Sequence, residues 1–284
     1  MNNTLNISNK INSSDKKAIV FVKEIADKLN IPFFIIGARA RDYILEYCYK
    51  ARITRKTEDI DFGIKVPTWE DYEKFEENLV DNEKFKKGRK INRFIFNNEV
   101  LVDIIPFGNL SEESRIISWP PEHEIIMTIL GFDEAYRTAL KVIISEDPKI
   151  AIKVPALAGL TIMKLISWYE SIDRREKDAR DIYKIMTNYN YNDNIDRLFN
   201  EEREINENEE WKIDNASLRL LGKDMKKIAS KKTASLLEEI LKFALNSNKG
   251  YPLVADMRMV SATSNDSDIK EMLRLLTKGM KDKL

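Results

Sequence analysis

The 284-residue chain holds one histidine, His123, and one cysteine, Cys48. A Ser-His-Asp triad or a histidine-built zinc site could draw only on His123, no disulfide can form within the chain, and a Cys-x-x-Cys site is excluded. Long hydrophobic runs are missing too. No stretch of eighteen uncharged apolar residues occurs, and the polar start MNNTLNISNK carries no hydrophobic signal region. These absences lead us to expect a cytoplasmic protein with no membrane partner, its lone thiol reduced. Net charge is absent as well, 47 Lys+Arg against 47 Asp+Glu. Permanently nucleic-acid-coated domains usually carry a basic excess, so contact with nucleic acid is left to a local patch. Acid is plentiful where softer ligands are scarce, and catalysis is expected to run on carboxylates and other oxygen ligands.

At 43% apolar and 33% charged, with nine glycines and eight prolines, the composition is that of a soluble globular protein of one or two domains. Ala18, Phe21, Val22, Ile25 and Leu29 recur at helical spacing in 13–30, with Ser13 or Ser14 as the candidate N-cap. Pro32 breaks that pattern, FFII at 33–36 reads as a short buried strand, and a second helical stretch runs over 38–50. EDIDFGIKV, 58–66, alternates as a strand, followed by Thr68 as cap of the helix WEDYEKFEENLV. FIFNNEVLVDIIPF, 94–107, reads as a hairpin turning at Asn97-Asn98. After the loop SWPPEHE, 118–124, two strands, KVIIS and KIAIKV, close the first unit. From Pro155 onward the pattern is helical: PALAGLTIMKLISWYE, then helices from about 176 to 189, from Ala216, through 232–246 and near 268–282. The acidic run EEREINENEE, 201–210, reads as a solvated linker or helix surface. Strands followed by helices point to an α+β chain, a mixed β-sheet flanked by helices over 1–153 and a C-terminal helical bundle over 154–284.

Asp59 and Asp61 stand at i and i+2 in a strand, so both carboxylates leave the same face about 6 to 7 Å apart along it. Two acids so placed repel unless a cation joins them. Mg²⁺ accepts carboxylate oxygens and keeps other positions for water and substrate phosphate. They could equally be surface acids on an exposed edge strand. Asp103 interrupts the apolar run Val100–Ile105, where an acid is costly unless paired or metal-bound. It either joins Asp59 and Asp61 around one or two divalent ions or pairs with an arginine such as Arg39 or Arg93. Gly37 ends a buried strand ahead of Ala38-Arg39-Ala40-Arg41-Asp42. Small residues there admit a phosphate to backbone N–H groups, and arginines add charge; the turn could also be plain packing, and Arg41/Asp42 a surface pair. Lys164 lies in a helix apolar almost all round and needs an anion nearby, or else snorkels to solvent. On the next helix Asp178 and Asp181 share a face at i, i+3. Lys223, Lys226, Lys227, Lys231 and Lys232 form the densest basic region, either an RNA-backbone contact or a solvated helix face. No role falls to His123, Cys48 is expected to pack as a small apolar residue, and Trp168 and Tyr169 to join the core.

Taken together, IIGARARD (35–42), RITRKTEDIDFGI (52–64) and LVDIIPFG (101–108) resemble the nucleotidyltransferase superfamily with a polymerase-β-like core. The nearest resemblance is to the AbiEii/AbiGii-type nucleotidyltransferase toxins of toxin–antitoxin and phage-defence systems. Members similar to this chain carry a Lys on one helix and a Lys-Asp-x-x-Asp stretch on the next, matched here by Lys164 and by Lys177-Asp178-Ala179-Arg180-Asp181. Leu221-Gly222-Lys223-Asp224 also resembles a stretch of the family's C-terminal helices. The resemblance implies that Asp59, Asp61 and Asp103 hold Mg²⁺ or Mn²⁺ and that Gly37, Ala38, Arg39 and Lys164 bind the NTP. Asp178 would hold Lys164 or the substrate, completing a cleft opposite the acids. The usual turn is Gly-Gly or Gly-Ser. Ala38 in the second place removes a hydroxyl and leaves backbone N–H groups for phosphate. Transfer of an NMP to a tRNA 3′ end, toxicity and a separately encoded antitoxin come with the resemblance. Other acceptors, an aminoglycoside-like small molecule or a protein side chain, and a catalytically silent binding module on the same fold, remain as alternatives.

Overall fold

The computed structural model describes residues 5–51, 57–81, 83–110, 116–121, 123–261 and 264–284. The first five residues of the 52–64 motif and Glu122 of the 118–124 loop lie outside them. The chain divides into two compact units, 1–156 and 157–284. Among the described residues no helix is long and apolar enough to cross a membrane.

The first unit runs β1 (Leu5–Asn6), α1 (Ser13–Lys28), β2 (Phe33–Ile36), α2 (Gly37–Asp42), β3 (Asp59–Lys65), α3 (Trp69–Val80), β4 (Phe85–Lys87), β5 (Arg93–Phe96) and β6 (Val100–Phe107). It continues through β7 (Ile116–Ser118), β8 (Ile126–Thr128), α4 (Phe132–Arg137), β9 (Leu140–Glu146) and β10 (Lys149–Val154). Five strands form a mixed sheet in the order β2-β3-β6-β5-β4, with β3 and β6 parallel and the other neighbours antiparallel. The hairpin between β5 and β6 turns through 97–99, with Asn97 and Asn98 both left-handed (φ 49° and 59°) and the Glu99 N–H donating to the Phe96 carbonyl at 2.9 Å. Phe21 of α1 meets Phe85 and Phe96, with centroids 6.1 and 6.0 Å apart. Phe34 and Phe107 meet edge-on at 5.4 Å under Phe132 and Tyr136 of α4. Each such ring buried contributes about 1.5–3 kcal/mol.

Local details differ from the sequence reading. Asn12, not Ser13 or Ser14, caps α1: its side chain accepts the Asp15 N–H at 2.7 Å. Asn and Ser cap about equally well, so the backbone's entry point decides. The helix expected over 38–50 stops at Asp42 and continues as a π-helix, Tyr43–Cys48. Burial runs without a break from Arg39 to Leu45 across that change of helix. The two strands expected to close the unit, β9 and β10, are its last elements, and they form with β1 a second sheet, β1-β9-β10.

The second unit comprises α5 (Leu157–Glu170), α6 (Arg175–Thr187), α7 (Asn192–Phe199), α8 (Arg203–Asn208), α9 (Ile213–Ile228), α10 (Lys231–Ala244), α11 (Pro252–Val260) and α12 (Asp266–Lys281). α5 is buried almost all round, and Trp168 in its core donates to Asp256 at 2.7 Å. α9 and α12 cross backbone to backbone at two glycines. A Cβ on Gly222 would overlap the Leu276 carbonyl, and one on Gly279 the Arg219 carbonyl. The acidic run 201–210 is not simply solvated. α8 buries Ile205 and Asn206, and the following Glu209 accepts from Arg219 (3.0 Å) and Lys278 (2.6 Å).

Candidate active site

Strand alternation turns Ile60 and Phe62 into the core and sets Asp59 and Asp61 on the opposite face. The parallel register of β3 on β6 places Asp61 directly opposite Asp103. On the far side of β6, Arg93 of β5 also lies opposite Asp103. One row across three strands therefore reads Asp61, Asp103, Arg93, with Asp59 one step along β3. Oxygens of Asp59, Asp61 and Asp103 all lie within 4.8 Å of one another. Such a trio of hard oxygen donors suits a divalent ion that prefers carboxylate ligands. Asp103 is 6% exposed, while Asp59 and Asp61 are half-buried, so the trio opens to solvent on the β3 side.

Between the two partners the sequence allowed for Asp103, the structure has Arg93. Its Nε donates to Asp103 Oδ1 at 2.6 Å and its Nη2 to Oδ2 at 2.7 Å, a bidentate fork, and Nη2 also reaches Asp59 Oδ2 at 3.1 Å. The Thr57 hydroxyl donates to Asp59 Oδ1 at 2.8 Å. Burial alone would push the Asp59 carboxyl up. The Thr57 hydroxyl, a backbone N–H and the Arg93 guanidinium outweigh it and hold the group below its ordinary value. These partners, against the pull of burial, keep Asp59 ionised at neutral pH, ready to serve as an oxygen ligand.

Gly37 borders the same trio. Ile36 pairs with Asp61 across β2 and β3, and Gly37 turns the chain with φ +69°. A Cβ there would overlap the Asp61 carboxylate, so glycine is demanded both by the backbone and by the acid against it. Ala38 follows half-buried. Arg39 turns elsewhere: 8% exposed, it pairs with Asp15 at 3.2 Å and donates to the Thr57 carbonyl at 2.8 Å. Arg41 and Asp42, for which a surface pair was one alternative, are buried together, with Arg41 Nε donating to Asp42 at 2.8 Å. Thr57 is the residue that sequence reasoning left without a role. Thr57 extends the same-face spacing of Asp59 and Asp61 backward by two, a signal legible in advance.

In the second unit Lys164 does not snorkel. It donates to Asp178 Oδ1 at 2.8 Å and pairs with Asp181 Oδ2 at 2.8 Å, its side chain 14% exposed. Ser167 donates to the other Asp178 oxygen at 2.6 Å. Burial pulls the ammonium's pKa down, but Asp181 and Asp178 together more than reverse it, and Lys164 stays charged. The basic region is partly spoken for. Lys223 is bound to Glu202 and Lys226 to the Asp282 carbonyl, each at 2.7 Å, whereas Lys227, Lys231 and Lys232 are exposed. Burial lifts the Cys48 thiol to about 11, leaving it inert at neutral pH.

A mixed sheet that brings three carboxylates and a glycine turn together defines the kind of acidic site found in metal-dependent nucleotidyl transfer. The chain belongs to the family described as nucleotidyl transferase AbiEii toxin, type IV toxin–antitoxin system, whose model matches residues 38–247. It is therefore an NTP-dependent transferase of that family. No curated protein matches the chain significantly. Among solved structures it is similar to ANT(2")-Ia in complex with adenylyl-2"-tobramycin, at 16% identity and TM-score 0.38, covering 62% of this chain and 89% of that one. It is also similar to an antigenic nucleotidyltransferase-like protein from Paracoccidioides brasiliensis, at 19% and 0.39, covering 62% and 77%. The Thermotoga maritima CCA-adding enzyme complexed with tRNA_CCA matches at 14% and 0.27, covering 95% and 82%. Likenesses this remote carry no argument about the acceptor.

Proposed function

We propose that the protein transfers an NMP from an NTP to an acceptor hydroxyl with Mg²⁺, or Mn²⁺ in its place, held by Asp59, Asp61 and Asp103. The observation that carries this reading is the set of three carboxylates with oxygens within 4.8 Å, seated against the Gly37 turn. Bound there, the ion would supply Lewis-acid stabilisation of charge on the reacting phosphate and the leaving pyrophosphate. The chain's own residues bind and orient. Asp59 is set by Thr57, and Asp61 by its close approach to Gly37. Backbone N–H groups at Gly37 and Ala38 face phosphate oxygens, and Arg39 fixes Thr57 through its carbonyl in place of touching the nucleotide. Asp103, forked by Arg93, orients the acceptor hydroxyl, whose oxygen bonds to the α-phosphorus as the bond to pyrophosphate breaks and its proton leaves to solvent. Lys164 keeps the role implied by the family resemblance, an ammonium for nucleotide phosphate, held charged by Asp178 and Asp181.

As acceptor we propose a tRNA 3′ end, and as cellular role a toxin restrained by a separately encoded antitoxin, in keeping with the family. Exposed Lys227, Lys231 and Lys232 are the candidates for backbone contact. The test is incubation with each labelled NTP, Mg²⁺ and total RNA, beside Asp61→Asn. Labelled tRNA from the wild type alone supports the reading. Label on a protein or an aminoglycoside instead redirects the acceptor, and label on nothing sinks the transferase.

A further inference from the structure

Arg93 is seated with care. The backbone of Gly88 donates to the Arg93 carbonyl at 2.7 Å, and the Arg93 amide donates to the Lys90 carbonyl at 3.0 Å. The Arg93 side chain then runs over Gly88, where a Cβ would lie 2.8 Å from Arg93 Cγ. This threads the guanidinium along the sheet to Asp103, directly opposite in register. The side chains of both partners are largely buried, 19% and 9% exposed, so the charges attract each other more strongly than a solvated pair would. The fork occupies both Asp103 oxygens and one Asp59 oxygen.

We infer that Arg93 is a built-in rival of the divalent ion: metal binding to Asp103 and Asp59 must displace, or share oxygens with, its guanidinium. This rests on the metal-dependent reading above. Three carboxylates outnumber the single guanidinium in contact with them, so the trio still attracts a divalent ion. The N–H donors nevertheless claim lone pairs that a small ion needs at about 2.0–2.1 Å, and two cations a few ångströms apart repel. The contacts rank the order of release. The single 3.1 Å bond to Asp59 yields first, and the fork on Asp103 at 2.6 and 2.7 Å last. Release of Asp59 would then be the easier step for an incoming ion, and engagement of Asp103 the costlier one. Arg93 acts through the carboxylates and is a positioning residue that sets how much metal the site demands.

The test is Mn²⁺ titration of the EDTA-treated full chain, read by the electron paramagnetic resonance of free Mn²⁺, for wild type, Arg93→Met, Arg93→Lys and Asp61→Asn. Arg93→Met should bind Mn²⁺ about ten- to a hundredfold more tightly, the size expected for removing a like charge nearby in a partly solvated site. Arg93→Lys, which keeps the charge and loses the fork, should fall between. A merely structural arginine would give the opposite sign, weaker binding from a disordered site. Equal or weaker binding by folded Arg93→Met overturns the inference; if that variant does not fold, Arg93→Lys decides by the same criterion. Should neither wild type nor Arg93→Met bind Mn²⁺, or should Asp61→Asn bind it as well as wild type, the metal-site reading itself falls. Binding that needs Asp61 yet ignores Arg93 removes only the rivalry.

Discussion

The two units each build a cluster of acids around one cation, and the clusters differ in charge balance and in openness to solvent. In the helical unit Asp178 and Asp181 enclose Lys164, and the side chains of both acids are nearly buried, 4% and 6% exposed. Ser167 takes up the remaining Asp178 oxygen. In the sheet unit three acids meet Arg93, and Asp59 keeps a third of its side chain, 33%, open to solvent. Residue types alone would rank the two alike. Surplus negative charge with an open side fits one cluster to receive a further cation. Full partnership and burial fit the other to hold its own.

That contrast can be broken at several points. The largest effect is expected from Asp61→Asn, which removes the acid that meets the Gly37 turn. Transfer should fall by about a hundredfold or more, with melting temperature unchanged or raised because three crowded carboxylates become two. A large drop in melting temperature would make the sheet cluster structural. Lys164→Met should do the reverse, costing about 3–5 kcal/mol in urea unfolding because two buried acids lose their cation. The triple variant Lys164→Met, Asp178→Asn, Asp181→Asn should regain most of that stability. If KM for NTP recovers with it, Lys164 has no part in binding phosphate. Gly37→Ala strains a left-handed residue and pushes on Asp61. About 1–3 kcal/mol of stability should be lost, together with a measurable weakening of Mn²⁺ binding; loss of stability alone would detach the turn from the site. Thr57→Val deletes one hydrogen bond to Asp59, and about 1 kcal/mol or a few-fold change in Mn²⁺ affinity is the expected scale. No change in either would leave Thr57 a bystander.

Much of the sheet was legible because its signals are local. FFII, the alternation at 58–66 and the Asn-Asn turn each prescribe their own backbone. The three aspartates could be named for the same reason, since period two fixes a face and an acid in an apolar run demands a partner. What could not be read was anything decided by distant packing. Arg39 and Arg93 were equal candidates for Asp103 until strand order put β5 beside β6 and Asp15 beside Arg39. The π-helix at 43–48 is a change of helix type that no spacing rule announces. In the 201–210 run the charge count pointed to solvent, yet Glu209 is drawn inward by Arg219 and Lys278, which lie 10 and 69 residues further on. Lys223 and Lys226 lost their apparent freedom to partners equally remote.

The bare crossing of α9 and α12 has a consequence for how this sequence can change. Gly222 and Gly279 each face the other helix's main chain with no side chain between, so neither position can accept even a methyl group unless the helices separate along their whole contact. Repair by a compensating substitution is closed off as well, because a backbone carbonyl cannot be trimmed to make room. Variation in the C-terminal helix should therefore stop at Gly279, a residue that carries no charge, binds nothing and would be overlooked in any search for active groups.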